Sequence, residues 1–208
     1  MSVVLTTDIF GETDWTDRAK LAFGNKQNVI IISPYANKCA FENETKAYQA
    51  FTKLGGVEAY AKKITNHLST LDAQDALLCI GFSAGASALW LSTSQIKLHE
   101  NSHLIGFYPG QIRHYLDIRP SIDTSIIFPV QESHFDLTNV IQHLVTNQPV
   151  KVIQNQLMHG YANPLSSNFN RAESEQVLHM FKHSNMLRDQ QAFLDHIIDR
   201  QGHDQILL

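Results

Sequence analysis

The stretch Ala76-Leu77-Leu78-Cys79-Ile80-Gly81-Phe82-Ser83-Ala84-Gly85-Ala86-Ser87-Ala88-Leu89 decides how this chain folds. Residues 76–80 are apolar at every position, and the run through Phe82 suits a strand covered on both faces. Residues 84–93 are rich in Ala and Leu and read as a helix. Gly81, Ala84, Gly85 and Ala86 supply small residues around Ser83 at the junction. A buried strand that turns at once into a helix is the repeating unit of a parallel sheet with helices on both sides.

The same alternation extends outward in both directions. Strands are expected over 2–7, 28–33, 76–82, 104–108, 125–130 and 150–156. Helices are expected over 13–23, 44–54, 57–71, 84–93, 137–146, 171–181 and 187–200, with Gly55-Gly56 dividing the second from the third. No repeat, low-complexity tract or linker interrupts the pattern, so residues 1–208 are expected to form one α/β domain. It is a three-layer sandwich of six parallel strands, with right-handed crossovers.

Composition narrows the functional classes. With 43% hydrophobic and 17% charged residues, the chain has the balance of a globular protein that folds without disulfides or metal. The net charge of −4 and the scattered Lys and Arg speak against nucleic acid as a partner. Two cysteines make no disulfide framework; Cys79 sits in an apolar run and Cys39 in a polar one. The N-terminus lacks the pattern of a signal peptide, and no apolar run is long enough for a membrane span. A cytoplasmic location without membrane contact is the expectation.

Gly81-Phe82-Ser83-Ala84-Gly85 is a G-x-S-x-G sequence set between the strand and the helix. That context favours a sharp turn presenting the Ser83 hydroxyl above the carboxyl ends of the strands, where open α/β sheets bind ligands. The helix N-terminus beyond it favours developing negative charge, and the Ala84 N–H is a candidate oxyanion donor. A serine hydroxyl needs a base. His159 follows the last expected strand and is the candidate. Glu132 and Asp136 follow the preceding strand, and either could orient the imidazole. Asp136 is also placed to cap the helix at 137, which makes Glu132 the preferred acid.

Asp8-Ile9-Phe10-Gly11, Gly81-Phe82-Ser83-Ala84-Gly85, Gly106-Phe107-Tyr108 and His159-Gly160-Tyr161-Ala162-Asn163-Pro164 together resemble the dienelactone hydrolase family of α/β-hydrolases. The resemblance spans nearly the whole chain. It implies Ser83 as nucleophile where the family carries Cys or Ser, His159 as its histidine, and Ile9 N–H as the second oxyanion donor. Laying the family's Phe-Gly-x-x-Asp segment on Phe128-Pro129-Val130-Gln131-Glu132 puts Glu132 at the acid position. Only three strands precede helix 84–93 (two precede Ser83's own), so the usual first two strands are absent and the expected order is 2-1-3-4-5-6. No Arg occurs between Arg18 and Arg113, and position 163 is Asn, which argues against a dienelactone as substrate.

The expected reaction is acyl transfer to water from a small ester or thioester. No cofactor or metal is required. Phe10, Tyr35, Tyr108, Arg113 and Tyr161 are the expected pocket residues, Arg113 toward an anionic group. No insertion has the size of a lid domain. A thioesterase or acyltransferase would use the same triad, and a non-catalytic binding protein could share the scaffold; a homodimer fits either. The terminal set His196, Asp199 and His203 is the alternative metal cluster.

Overall fold

The computed structural model describes residues 2–25, 27–146, 150–201 and 206–207. Six parallel strands, β1 (Ser2–Thr6), β2 (Asn28–Ile32), β3 (Leu77–Phe82), β4 (His103–Phe107), β5 (Asp123–Phe128) and β6 (Val150–Gln154), form a sheet in the order β2-β1-β3-β4-β5-β6. This is the expected topology. A two-residue strand, β7 (Ile206–Leu207), pairs antiparallel with Ile153 and Gln154 of β6 and extends the edge.

Alternation along the strands divides the core in two. Val4, Cys79, Leu104, Ile126 and Val152 face one apolar cluster, and Val3, Leu5, Leu78, Ile80, Ile105, Ile127 and Ile153 face the other. The first cluster is closed by α2 (Glu44–Lys53), α3 (Gly56–Leu68), α4 (Ala84–Thr93) and α5 (Leu137–Leu144), through residues such as Phe51, Ile64, Leu89 and Ile141. The second is closed by α1 (Asp14–Ala22), α6 (Arg171–Lys182) and α7 (Gln190–Gln201), through Trp15, Phe181 and Phe193. The central strands β1, β3 and β4 are wholly buried. Edge strand β2 is as apolar in sequence, yet Ile30 and Ile31 are only half-buried, one against each cluster.

The final helical run begins later than its pattern indicates. Met186–Arg188 form a 3-10 turn, and Asp189 then adopts extended backbone and accepts from the Ala192 N–H with its side chain. That is N-cap geometry, and it starts α7 at Gln190. No helix among the described residues is long and apolar enough to cross a membrane. Both cysteines are free, and burial pushes the Cys79 thiol up to about 12, which makes it inert.

The chain runs from β1 outward to β2 and then crosses back to β3 on the other side of β1. The strand order reverses there, so the carboxyl ends of β1 and β3 border a crevice.

Candidate active site

Ser83 stands at the end of β3 with φ 50° and ψ −114°, a strained backbone for a residue with a side chain. Its neighbours explain how the turn is held. A Cβ on Gly81 would lie 2.6 Å from Ala86 Cα, and one on Gly85 would lie 2.3 Å from Thr7 O. Only glycine lets the first turn of α4 press this closely against β1. The Ser83 N–H donates to Phe107 O at 2.9 Å, which ties the turn to β4.

The loops beyond β5 and β6 bring two more groups to this point. Ser83 Oγ and His159 Nε2 are 2.8 Å apart, and His159 Nδ1 and Glu132 Oε1 are 2.7 Å apart. The carboxylate can only accept, so Nδ1 carries the proton and Nε2 is free to accept from the serine hydroxyl. His159 is otherwise held by its own backbone, where Asn168 Nδ2 donates to His159 O at 2.9 Å. Glu132 is the more buried of the pair, at 9% side-chain exposure against 26% for His159. Asp136 is elsewhere: it is exposed, caps α5 through Thr138 N and accepts from Asn139.

After β1, residues 8–11 form a turn in which Gly11 N donates to Asp8 O and Phe10 N donates to Asp8 Oδ1. Neither Ile9 N–H nor Ala84 N–H, the first amide of α4, has an acceptor among the described residues. Both residues line one cavity of about 630 Å³ together with Phe10, Ser83, Tyr108, Arg113, Glu132 and His159. Asp8 borders it too. Burial raises the Asp8 carboxyl to about 6, against the opposing pull of its Asn163 and Phe10 hydrogen bonds and of His159.

Sequence comparison places the chain among known proteins. YczH, an uncharacterized protein of Bacillus subtilis (strain 168), is 31% identical over 143 residues, which are 68% of this chain and 69% of YczH. The chain belongs to the same family as YczH. No general family model matches it. The fold is similar to that of a dienelactone hydrolase-like promiscuous phosphotriesterase from metagenomic libraries, with a TM-score of 0.63 at 12% identity over 88% of this chain and 85% of that one. A protein of the alpha/beta hydrolase superfamily from Xanthomonas campestris pv. campestris matches with a TM-score of 0.60 at 12% identity, over 95% of this chain and 99% of that one. The chain thus has an α/β-hydrolase-like fold, similar to that of dienelactone hydrolase-like structures.

Two expected pocket residues do not line the cavity. Tyr35 is buried behind the 8–11 turn, and its hydroxyl donates to Ile9 O at 2.7 Å and Ala47 O at 3.2 Å. Tyr161 packs edge-on against Tyr108, with centroids 5.2 Å apart, and borders a separate cavity with Asn155 and Glu173. Loop position suggests both, but each ring turns into the core. Tyr108 itself lines the cavity at φ 41°, its ring 5.0 Å from that of His159. Arg113 is part of a 3-10 turn, Gly110–His114, rather than an open loop. Its guanidinium donates to Gly110 O and lies 4.7 Å from the Phe135 ring centroid. No carboxylate pairs with it among the described residues.

Glu44, Thr45, Tyr48 and Phe51 of α2 line the same cavity. Nothing in their local sequence marks them. Of the terminal metal alternative, His203 and the side chain of Asp199 lie outside the described residues.

Proposed function

We propose that this protein is a serine hydrolase that cleaves small carboxylic esters through an acyl-enzyme. The observation that carries this reading is the unbroken chain of contacts from Ser83 Oγ through both nitrogens of His159 to Glu132 Oε1. Ser83 attacks the ester carbonyl as its proton passes to His159 Nε2. Glu132 steadies the resulting imidazolium. The Ile9 and Ala84 N–H groups, which have no acceptor among the described residues, receive the oxyanion at the positive end of α4. Nε2–H then protonates the departing alkoxide. Water, deprotonated by the same nitrogen, releases the acid and restores Ser83.

The cavity also supports a preference within that class. Arg113 is fixed by Gly110 O and Phe135 but lacks an anionic partner among the described residues. A carboxylate or phosphate on the substrate would supply one.

A fluorophosphonate probe tests the reading directly. Ser83 should be modified stoichiometrically, and Ser83→Ala should not react. Ser83→Ala and His159→Ala should each lower p-nitrophenyl acetate turnover by more than about 1000-fold. A folded wild-type protein that takes no label at Ser83 is a non-catalytic member of the fold. A thioester preferred to its oxygen ester would move the leaving group to sulfur without changing the triad.

A further inference from the structure

Asp8 and Asn163 are 155 residues apart, buried to 7% and 5% exposure, and joined by a 2.6 Å hydrogen bond from Asn163 Nδ2 to Asp8 Oδ2. Each belongs to a different part of the site. Asp8 organises the turn after β1: its Oδ1 accepts from Phe10 N at 2.9 Å and its carbonyl from Gly11 N at 3.1 Å, which brackets Ile9. Asn163 belongs to the loop of His159. Its N–H donates to Gly160 O at 3.0 Å, and its Oδ1 accepts from Leu165 N at 2.9 Å. That second bond fixes the amide orientation, because only the oxygen can accept, and so Nδ2 must face Asp8. The turn is held from behind by Tyr35 on Ile9 O and by Tyr60, whose hydroxyl donates to Ile32 O at 2.6 Å and lies 3.2 Å from Thr7 O. Among the described residues, Asp8–Asn163 is the side-chain bond that ties it to the loop of His159.

We propose that the Asp8–Asn163 pair is a positioning latch that holds the Ile9 amide in register with His159. This rests on the roles given above to Ile9 and His159. A buried carboxyl with only two donors is unfavourable for stability. Its place in the wall of the catalytic cavity gives it a function that an apolar pair of equal volume would not serve. Neither residue touches the reacting atoms in this role. An oxyanion donor displaced by a fraction of an ångström loses its contact with developing charge, while the substrate's ground-state contacts persist. The latch therefore acts on kcat more than on KM.

A reciprocal exchange tests it. In Asp8→Asn two amide NH2 groups face each other, and in Asn163→Ala the donor is gone. In the double variant D8N/N163D every bond can form again. The amide nitrogen now at position 8 donates to the carboxylate now at position 163, and the amide oxygen at position 8 accepts from Phe10 N. The second carboxylate oxygen at position 163 accepts from Leu165 N. Each single variant should lose roughly 10- to 100-fold in kcat with KM within about twofold. The exchange should recover most of that loss. Hydrogen exchange at the Phe10, Gly11 and Leu165 amides should quicken in both singles and slow again in the double, with thermal melting confirming that each variant is folded. Unchanged exchange at Phe10 and Gly11 in folded Asn163→Ala overturns the latch, as does a folded double variant no better than Asp8→Asn. Failure of the hydrolase reading looks different. Wild-type Ser83 would then escape the fluorophosphonate, and the exchange data alone would decide whether the latch couples the two loops.

Discussion

Glu132 Oε1 meets His159 Nδ1 at 2.7 Å, whereas Asp136, four residues later, is occupied at the start of α5. The two carboxylates that the sequence leaves in competition are separated by what each one bonds. A Glu132→Gln variant keeps the shape but loses the charge that stabilises imidazolium and selects the Nδ1–H tautomer. Its kcat for p-nitrophenyl acetate should fall by at least about 100-fold. Asp136→Asn should keep kcat within about twofold, because Asn caps a helix as well as Asp does. Equal losses in the two would remove Glu132 from its assigned role.

What the sequence makes legible follows from range. The strand ending at Phe82, the small residues around Ser83 and the strand–helix order are local patterns, and burial enforces them locally. The position of His159 beyond the last long strand is likewise a topological consequence. Contacts that depend on distant partners are not legible. Tyr35 stands at a strand's end, like a pocket residue, but Gly11 opposite leaves room for its ring: a Cβ there would lie 2.6 Å from Tyr35 Cδ2. The α2 wall carries ordinary amphipathic helix residues. Asp8 lies inside a motif, but its bond to Asn163 spans nearly the whole chain. His103 is polar and reads as a boundary just outside its strand. In the structure it begins β4, and partners from other elements satisfy both its nitrogens.

The close approach of α4 to β1 gives a stability prediction. In Gly85→Ala the new Cβ would meet Thr7 O at 2.3 Å and the Thr6 carbonyl carbon at 2.8 Å. Both are backbone atoms at the end of a central strand and cannot rotate away. The helix must shift, at a cost of roughly 1–3 kcal/mol, which lowers Tm by about 5 °C or more. The same shift moves Ser83 relative to His159, so fluorophosphonate labelling should slow in the folded variant. A Gly85→Ala protein with wild-type Tm would mean that the turn has slack enough to absorb a methyl group.

Arg113 yields a prediction about substrate choice. Its guanidinium is held on the cavity wall by Gly110 O and the Phe135 ring. Arg113→Gln keeps a polar side chain of similar length and removes the charge. The ratio of kcat/KM for a carboxylate-bearing aryl ester to that for its neutral isostere should fall roughly tenfold, or about 1.4 kcal/mol. The neutral ester should be nearly unaffected. Parallel losses on both esters would make Arg113 a structural residue of the 3-10 turn.

His103 sets a pH dependence of stability at the opposite end of the sheet from Ser83. It is fully buried, with Nδ1 2.7 Å from Leu187 O and Nε2 2.9 Å from Ser125 Oγ. The carbonyl can only accept, so Nδ1 carries the proton and Nε2 accepts from the serine hydroxyl. Burial lowers its pKa below the usual 6.5, only partly offset by the Leu187 bond and by the carboxylates of Asp123 and Asp189. The unfolded chain therefore takes up this proton first as pH falls. The stability that neutral His103 contributes is complete above about 6.5 and is lost progressively below it. Asp8 works in the reverse direction: its carboxyl is raised from 3.8 to about 6, so the native state holds that proton more tightly and gains stability as pH falls through about 6. Wild-type melting curves thus mix two opposed slopes, and a difference curve separates them. His103→Gln should melt lower than wild type at pH 8, and the gap should narrow steadily toward pH 5, because only wild type loses the His103 contribution. A gap that stays constant across that range would show that the ring remains neutral throughout, or that the unfolded chain binds its proton no more tightly than the fold does.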